Sequence, residues 1–241
     1  MKKLPLTLTV ALSLVTTLGF CQEIRGNDAQ ENLYKLGSQN ADIGIVRKFD
    51  NRYEGVKGSP FYHEQWAKGK VVFESGRTAE NIQLKYNIYE DELLILQPKT
   101  GAFYVDKNNV NSFAFLHPDM QHEEWFIKYP HPKKAGLTQY FRVLFQGRVN
   151  LLEHNKIVFE KANYEGAYSN NKRYDEFKNY ATFYYSTSSA KPQKLKSSAG
   201  AVSKIFPGKQ AQVKQYIVQN LLDCRKSEDL LQIFAYYEKN P

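Results

Sequence analysis

The sequence predicts an α+β protein in which a mostly antiparallel sheet of roughly ten strands precedes about three short helices. Between residues 70 and 185, apolar side chains recur with a period of two, in short runs separated by turn residues. No helical segment lies between consecutive runs, which disfavours a parallel sheet. After Ser186 the apolar spacing changes to three and four, which is typical of helices. The pattern leaves a meander, a sandwich and a barrel-like sheet open.

The first 22 residues have the pattern of a signal peptide. Two lysines precede an uncharged, mostly apolar run at residues 6–20, and the small residues Gly19 and Cys21 stand at its end with the spacing that a signal peptidase requires. The run is shorter than the roughly 20 apolar residues of a membrane-spanning helix. A lipid anchor on Cys21 is the minority alternative, because the bulky Phe20 precedes it. We therefore expect residues 1–22 to be removed, leaving an exported, periplasmic or extracellular chain without a transmembrane span.

The composition excludes several classes of protein. With 42% hydrophobic residues and two cysteines in 241 residues, the chain is neither a disulfide scaffold nor a multi-span membrane protein. The formal net charge is +8, and removal of Lys2 and Lys3 lowers it to +6. In an exported protein this excess favours an anionic glycan, lipid head groups or an acidic protein as partner, and disfavours nucleic acid.

We expect residues 23–60 to form a polar leader with a first strand near residues 43–46, and residues 61–190 to form the antiparallel β domain. Turn-forming residues bound most of the apolar runs within it. Strands are predicted at residues 71–73, 82–88, 93–96, 103–105, 113–115, 125–129, 141–145, 149–152, 157–159 and 183–185. His154 and Asn155 are predicted to form a hairpin turn between two of these strands.

Three short helices are expected in residues 191–241. Ser197 or Ser198 can cap the first, and a Pro-Gly pair at residues 207–208 follows it. The second carries Val213, Tyr216 and Ile217 on one side, and the third begins at Ser227. About 45 residues form a marginal independent unit, so we expect these helices to pack on the sheet.

A lysine-rich stretch is the first candidate binding surface. Between Phe177 and Leu222 the sequence has seven lysines and no acidic residue. Such a stretch fits an acidic partner or an anionic polymer, although a solvated helix face would explain it as well. The candidate binding residues in this stretch are Lys191, Lys194, Lys196 and Lys204.

A tyrosine-rich polar interval at residues 161–179 is the second candidate. Tyrosine and arginine are favoured at binding hot spots, and long ordered loops are often functional. The alternative is a short surface helix whose tyrosines cover the edge of the core. The candidate binding residues here are Tyr164, Tyr168, Arg173 and Tyr174.

The evidence for catalysis is weaker. Carboxylates at residues 90–92 and 123–124, or His117, His122 and His131, would suit a hydrolase that acts on envelope glycan or lipid. The histidine spacing matches no zinc signature, and the sequence has no nucleophile elbow or phosphate-binding loop. We therefore predict no catalytic residue, no metal ligand and no cofactor. A small-molecule carrier, with a cavity inside a barrel, is a further alternative.

Three stretches, at residues 58–96, 175–185 and 204–240, resemble uncharacterised exported proteins common in Bacteroidota. In these proteins a β-rich region that opens with a GSPF-like segment, here residues 58–61, precedes a helical tail with a tyrosine pair, here Tyr236 and Tyr237. The usual Asn after the pair is replaced by Glu238. The resemblance implies a shared fold and an envelope or extracellular location, and it implies no catalytic residue. The leading hypothesis is thus a non-catalytic envelope protein that binds a protein or an anionic polymer.

Overall fold

The structure is a computed structural model that describes residues 45–48, 53, 55–97, 101–117, 122–162, 174–187 and 191–240. The strands are β1 (Ile45–Lys48), β2 (Ala67–Phe73), β3 (Thr78–Asn87), β4 (Glu92–Gln97), β5 (Gly101–Val105), β6 (Val110–Leu116), β7 (Glu123–Pro130), β8 (Thr138–Phe145), β9 (Asn150–Glu160), β10 (Glu176–Ser186) and β11 (Gln193–Lys194). The α-helices are α1 (Ala199–Ser203), α2 (Gln210–Gln219) and α3 (Ser227–Lys239).

The strands of the described residues form one antiparallel sheet in the order β1-β5-β4-β3-β2-β6-β7-β8-β9-β10-β11. Most neighbours in space are also neighbours in sequence, as in a meander. The mostly antiparallel α+β fold with short C-terminal helices is confirmed. Among the described residues, no helix is both long and apolar enough to cross a membrane.

The predicted hairpin turn at His154 and Asn155 is wrong, because β9 runs unbroken through both residues. His154 lies opposite Thr182 and Asn155 opposite Ala181, within a ladder that pairs β9 with β10 along all of its length. The polar pair interrupted the apolar pattern, but pairing with β10 keeps the backbone extended. The region expected to be helical from residue 191 also contributes β11 to the sheet.

The sheet is strongly curled. The ring of Tyr89, in the turn after β3, packs on Phe177 of β10 with centroids 5.3 Å apart. Tyr53 contacts both rings, at 6.0 Å and 5.1 Å. Because five strands separate β3 from β10 in the sheet order, these contacts require the sheet to bend back on itself.

Residues 57–62 connect the two regions that the curl brings together. Lys57 forms a bridge with Glu176 at the start of β10, and Phe61 forms one with Asn87 at the end of β3. The Pro60 carbonyl accepts hydrogen bonds from the backbone nitrogens of Ile88, at 2.9 Å, and Tyr89, at 3.3 Å. The GSPF segment is therefore the connection between β10 and the β3–β4 turn.

One row of paired residues defines the inner face of the sheet. It runs through Phe113, Phe126, Arg142, Glu153 and Phe183, on β6 to β10. Two apolar cores lie on this face at the two ends of the row, and two charged residues lie between them.

The first core is built from β2 to β7 with contributions from β8, β9 and β10. Phe113 stacks on Phe126 at 4.9 Å, and Tyr86 and Tyr140 pack around the pair. This aromatic cluster accounts for part of the high aromatic content, which is 14% of the chain.

The second core lies between the three helices and the other end of the sheet. Leu151 of β9, Phe206 after α1, Val213 of α2 and Phe234 of α3 are fully or almost fully buried in it. Arg148 lies in the β8–β9 turn and contacts the end of α3. Its Nη2 donates a hydrogen bond to the Tyr237 carbonyl oxygen at 2.6 Å. The helices therefore complete the domain by covering apolar sheet surface.

Candidate functional site

The predicted binding lysines lie on and around β11 and directly after α1. Lys191, Lys194, Lys196 and Lys204 are all exposed, and we call these four residues the lysine edge. The first three lie on and around β11, which is the last strand in the sheet order. None of the four forms an ion pair with another described residue, so their charges are not neutralised within the part of the chain that the structure describes.

The local sequence directs these charges outward. Leu195 is buried in the second core, and its backbone nitrogen donates to the Phe183 carbonyl at 2.9 Å. Because side chains alternate along extended backbone, burial of Leu195 places Lys194 and Lys196 on the opposite side. Lys178 behaves differently, since its ammonium pairs with Glu160 on β9 at 3.1 Å.

Positive charge extends from this edge to the β7–β8 turn. His131 lies in that turn, and its pKa is held below the usual range by desolvation and by the charges of Lys134, Lys107 and Lys191. Lys191 and Lys134 thus act on the same imidazole. The β7–β8 turn therefore adds to the positive electrostatic potential of the lysine edge.

The tyrosine-rich interval is only partly described. Tyr174 precedes β10 and its side chain is 65% exposed. Tyr164, Tyr168 and Arg173, the other predicted binding residues of this interval, lie outside the described residues.

A polar groove between α2 and α3 was not predicted from the sequence. Its volume is about 560 Å³, and we call it the helix groove. It is lined by Lys209, Gln212, Gln215, Tyr216, Gln219, Tyr236, Lys239 and Asn240. Tyr216 and Tyr236 stack face to face in its wall, with centroids 4.0 Å apart and an angle of 7° between the rings.

The tyrosine pair of the C-terminal tail divides between two environments. Tyr237 is buried in the second core, while Tyr236 is half-buried and lines the helix groove. Within its own helix, none of the groove residues has a spacing or a neighbour that predicts a binding site. Only the packing of α2 against α3 brings them together, and a single-helix pattern contains no information on that packing.

A charged network lies between the two cores on the inner face. The Arg142 guanidinium donates to Glu124 at 2.7 Å and to Glu153 at 3.2 Å. Asn155 also donates to Glu153, at 3.2 Å. The side chains are mostly buried, and shared hydrogen bonds compensate for the desolvation of the three charges.

Two residues of the segment before β2 complete this network. Tyr62 donates from its hydroxyl to Glu124 at 3.3 Å, and His63 Nε2 lies 3.3 Å from the other carboxylate oxygen. The hydrogen bond with His63 lowers the pKa of Glu124 despite partial burial, and the charge of Arg142 lowers it further. Desolvation raises the pKa of Tyr62 well above its usual range.

A second groove, of about 450 Å³, opens beside His63 and Glu124. Trp66, Phe115 and His117 also line it. The His63–Glu124 pair has the chemistry of a general acid and base. Among the described residues that line this groove there is no Ser, Thr or Cys to act as a nucleophile.

The remaining candidates for catalysis are dispersed. His117 and His122 stack at 4.6 Å beside the second groove, whereas His131 lies in the β7–β8 turn. Among the described residues, no group of three or more potential ligands is arranged to hold a metal ion. Asp91 accepts from Tyr86 at 2.5 Å and pairs with Lys107, contacts that fix the β3–β4 turn.

Comparisons of the chain with protein-family models, with curated proteins and with solved structures found no match.

Proposed function

We propose that this protein is an exported, non-catalytic cell-envelope protein that binds an anionic envelope polymer through the lysine edge. The observation that carries the proposal is the exposure of four lysines, none of which pairs with a described carboxylate, along β11 and after α1. A row of uncompensated charges of one sign attracts a polyanion and binds it in a salt-dependent way.

Edge strands also carry lysines for a different reason, because charge there discourages pairing with a second sheet. The two roles respond differently to charge reversal. A glutamate at the same position still protects the strand edge, but it repels an anionic polymer. Reversal of charge therefore tests binding without creating an aggregation-prone edge.

The test is the retention of the protein in the envelope fraction at low salt. We expect the variant Lys191→Glu/Lys194→Glu/Lys196→Glu to be released into the soluble fraction. The matched control is Lys68→Glu/Lys161→Glu/Lys226→Glu, which makes the same change in net charge at exposed lysines elsewhere. Equal retention of the two variants would overturn the proposal.

A hydrolase acting on envelope glycan or lipid is the second candidate, and the contact of His63 with Glu124 at the rim of the second groove favours it. The variant Glu124→Gln would then abolish hydrolysis of envelope material by the purified protein. If neither protein releases sugar or fatty acid, this candidate fails, while the polymer-binding proposal is unaffected.

A further inference from the structure

The helix groove has the chemistry of a carbohydrate site. Gln212, Gln215, Tyr216 and Gln219 recur at spacings of three and four, so they share one face of α2. The opposite face carries Val213 and Ile217, which are buried in the second core. The polar face is therefore turned away from the core, and Gln212, Gln215 and Gln219 on it are exposed.

The side-chain amides in this groove are available to a ligand. Those of Gln212, Gln215 and Gln219 make no hydrogen bond with another described residue. Each amide offers two donors and an acceptor, a combination that suits sugar hydroxyl groups. The volume of about 560 Å³ is within the range of small-ligand sites, about 300–1,000 Å³.

The charge of the groove favours an acidic ligand. Lys209 and Lys239 lie among its lining residues, and no carboxylate does within the part of the chain that the structure describes. Glu238 is next to Lys239 in sequence, but its Oε2 accepts from the Arg148 backbone nitrogen at 3.0 Å. The Glu238 carboxylate is thus bound at the β8–β9 turn, and it does not neutralise the positive charge of the groove.

We infer that the helix groove binds a short segment of an acidic oligosaccharide, with the lysines on its carboxylates and the glutamines on its hydroxyls. The stacked Tyr216 and Tyr236 provide a rigid aromatic wall, and such surfaces contribute contact area at little entropic cost. This inference rests on the proposed function and names the polymer class as an acidic glycan. The lysine edge would then contact the longer chain, while the groove recognises individual sugars.

The test is calorimetric titration of the purified protein with a tetrasaccharide of galacturonic acid. We expect Lys209→Gln/Lys239→Gln to weaken binding by about tenfold or more, and Gln212→Ala/Gln215→Ala to weaken it by about fivefold. The matched control Lys68→Gln/Lys226→Gln removes the same charge at exposed lysines outside both the helix groove and the lysine edge. It should change the affinity by less than about twofold.

Two further probes examine the ligand class. Maltotetraose, a neutral tetrasaccharide, and inorganic tripolyphosphate should both bind much more weakly than the acidic tetrasaccharide. Equal affinity for maltotetraose overturns the role of charge, and equal affinity for tripolyphosphate overturns the assignment to a glycan. Equal weakening by the groove variants and the control variant, or an absence of binding, overturns the location.

Failure of this inference is distinguishable from failure of the proposed function. If the groove variants bind the tetrasaccharide as the unaltered protein does, while charge reversal at the lysine edge still releases the protein from the envelope, only the groove is excluded. In the opposite result, the tetrasaccharide binds in the groove and the charge-reversed lysine-edge variant is fully retained in the envelope. This result excludes the lysine edge as a binding site and supports the groove.

Discussion

Tyr89 and Phe177 pack with ring centroids 5.3 Å apart, although five strands separate β3 from β10 in the sheet order. Their contact marks the place where the curled sheet meets itself. The segment at residues 57–62 bridges the same two strands by backbone pairing. The aromatic contact and the backbone bridges therefore hold the curl at one end of the sheet.

A double-mutant cycle measures this contact. Combining Tyr89→Leu with Phe177→Leu should give a coupling free energy of about 1 kcal/mol in chemical denaturation. The control cycle pairs Tyr89→Leu with Phe234→Leu in the second core, where coupling should be close to zero. Equal coupling in the two cycles would show that the curl does not depend on the Tyr89–Phe177 contact.

Gly58 of the GSPF segment is predicted to tolerate no side chain. Its φ is +78°, and a Cβ there would lie 2.8 Å from the Phe177 carbonyl oxygen. Gly58→Ala should lower the free energy of unfolding by about 2–4 kcal/mol, from backbone strain and the clash together.

Gly76 provides the matched control for this substitution. Its φ is +81°, but no heavy atom beyond its chain neighbours lies within 4 Å of the place that an alanine Cβ would occupy. Gly76→Ala should therefore lower the free energy of unfolding by only about 1–2 kcal/mol, from strain alone. If the two variants unfold at the same denaturant concentration, residue 58 does not approach β10 as closely as described.

Glu124 should make the stability of the protein pH-dependent. Its pKa is lowered on folding from an ordinary value of 4.5, so the ionised form is favoured in the folded chain. The stabilisation that the ionised carboxylate contributes is complete above pH 4.5. It is lost as the pH falls through the lower pKa that Glu124 has in the folded protein. Glu124→Gln should destabilise the protein by about 1 kcal/mol at pH 7, and by progressively less at acidic pH.

Urea denaturation at a series of pH values tests this prediction, with Glu80→Gln at an exposed position as the control. The difference between Glu124→Gln and the unaltered protein should shrink as the pH falls below 4.5, while the control should show no such trend. A difference that is constant with pH would contradict the role given to the ionised carboxylate.

Cys224 should be unreactive in the folded protein. It is a free cysteine with 4% exposure in the second core. Burial raises the pKa of its thiol, and Asp223 and Asp229 raise it further, so the reactive thiolate is disfavoured. In a Cys21→Ser background, a thiol reagent should label the protein only under denaturing conditions. Rapid labelling of the native protein would place Cys224 outside the core.

The sheet was largely predictable because strand alternation is a local property. Ile82, Leu84 and Tyr86 follow the period of two, and each lies in the first core. The error at His154 and Asn155 has the same origin, since two consecutive polar residues resemble a turn when the partner strand is unknown. Pairing with β10 decides the conformation there.

The candidate binding surfaces were predictable only where they are continuous in sequence. The lysine edge lies within one acid-free stretch, and its residues are exposed as expected. Tyr216 and Tyr236 are twenty positions apart, and Arg142 meets Glu124 across a strand pair. These contacts depend on helix packing and strand register, and the sequence pattern specifies neither at the level of individual pairs.

The most direct test of the central claim is the salt dependence of binding to a purified polyuronate. The variant Lys191→Gln/Lys194→Gln/Lys196→Gln removes three positive charges. It should reduce the slope of log K against log salt by about two to three, and weaken binding at low salt by about tenfold or more. The control Lys68→Gln/Lys161→Gln/Lys226→Gln should keep the original slope. An unchanged slope and affinity for the lysine-edge variant would contradict the claim that this edge binds an anionic polymer.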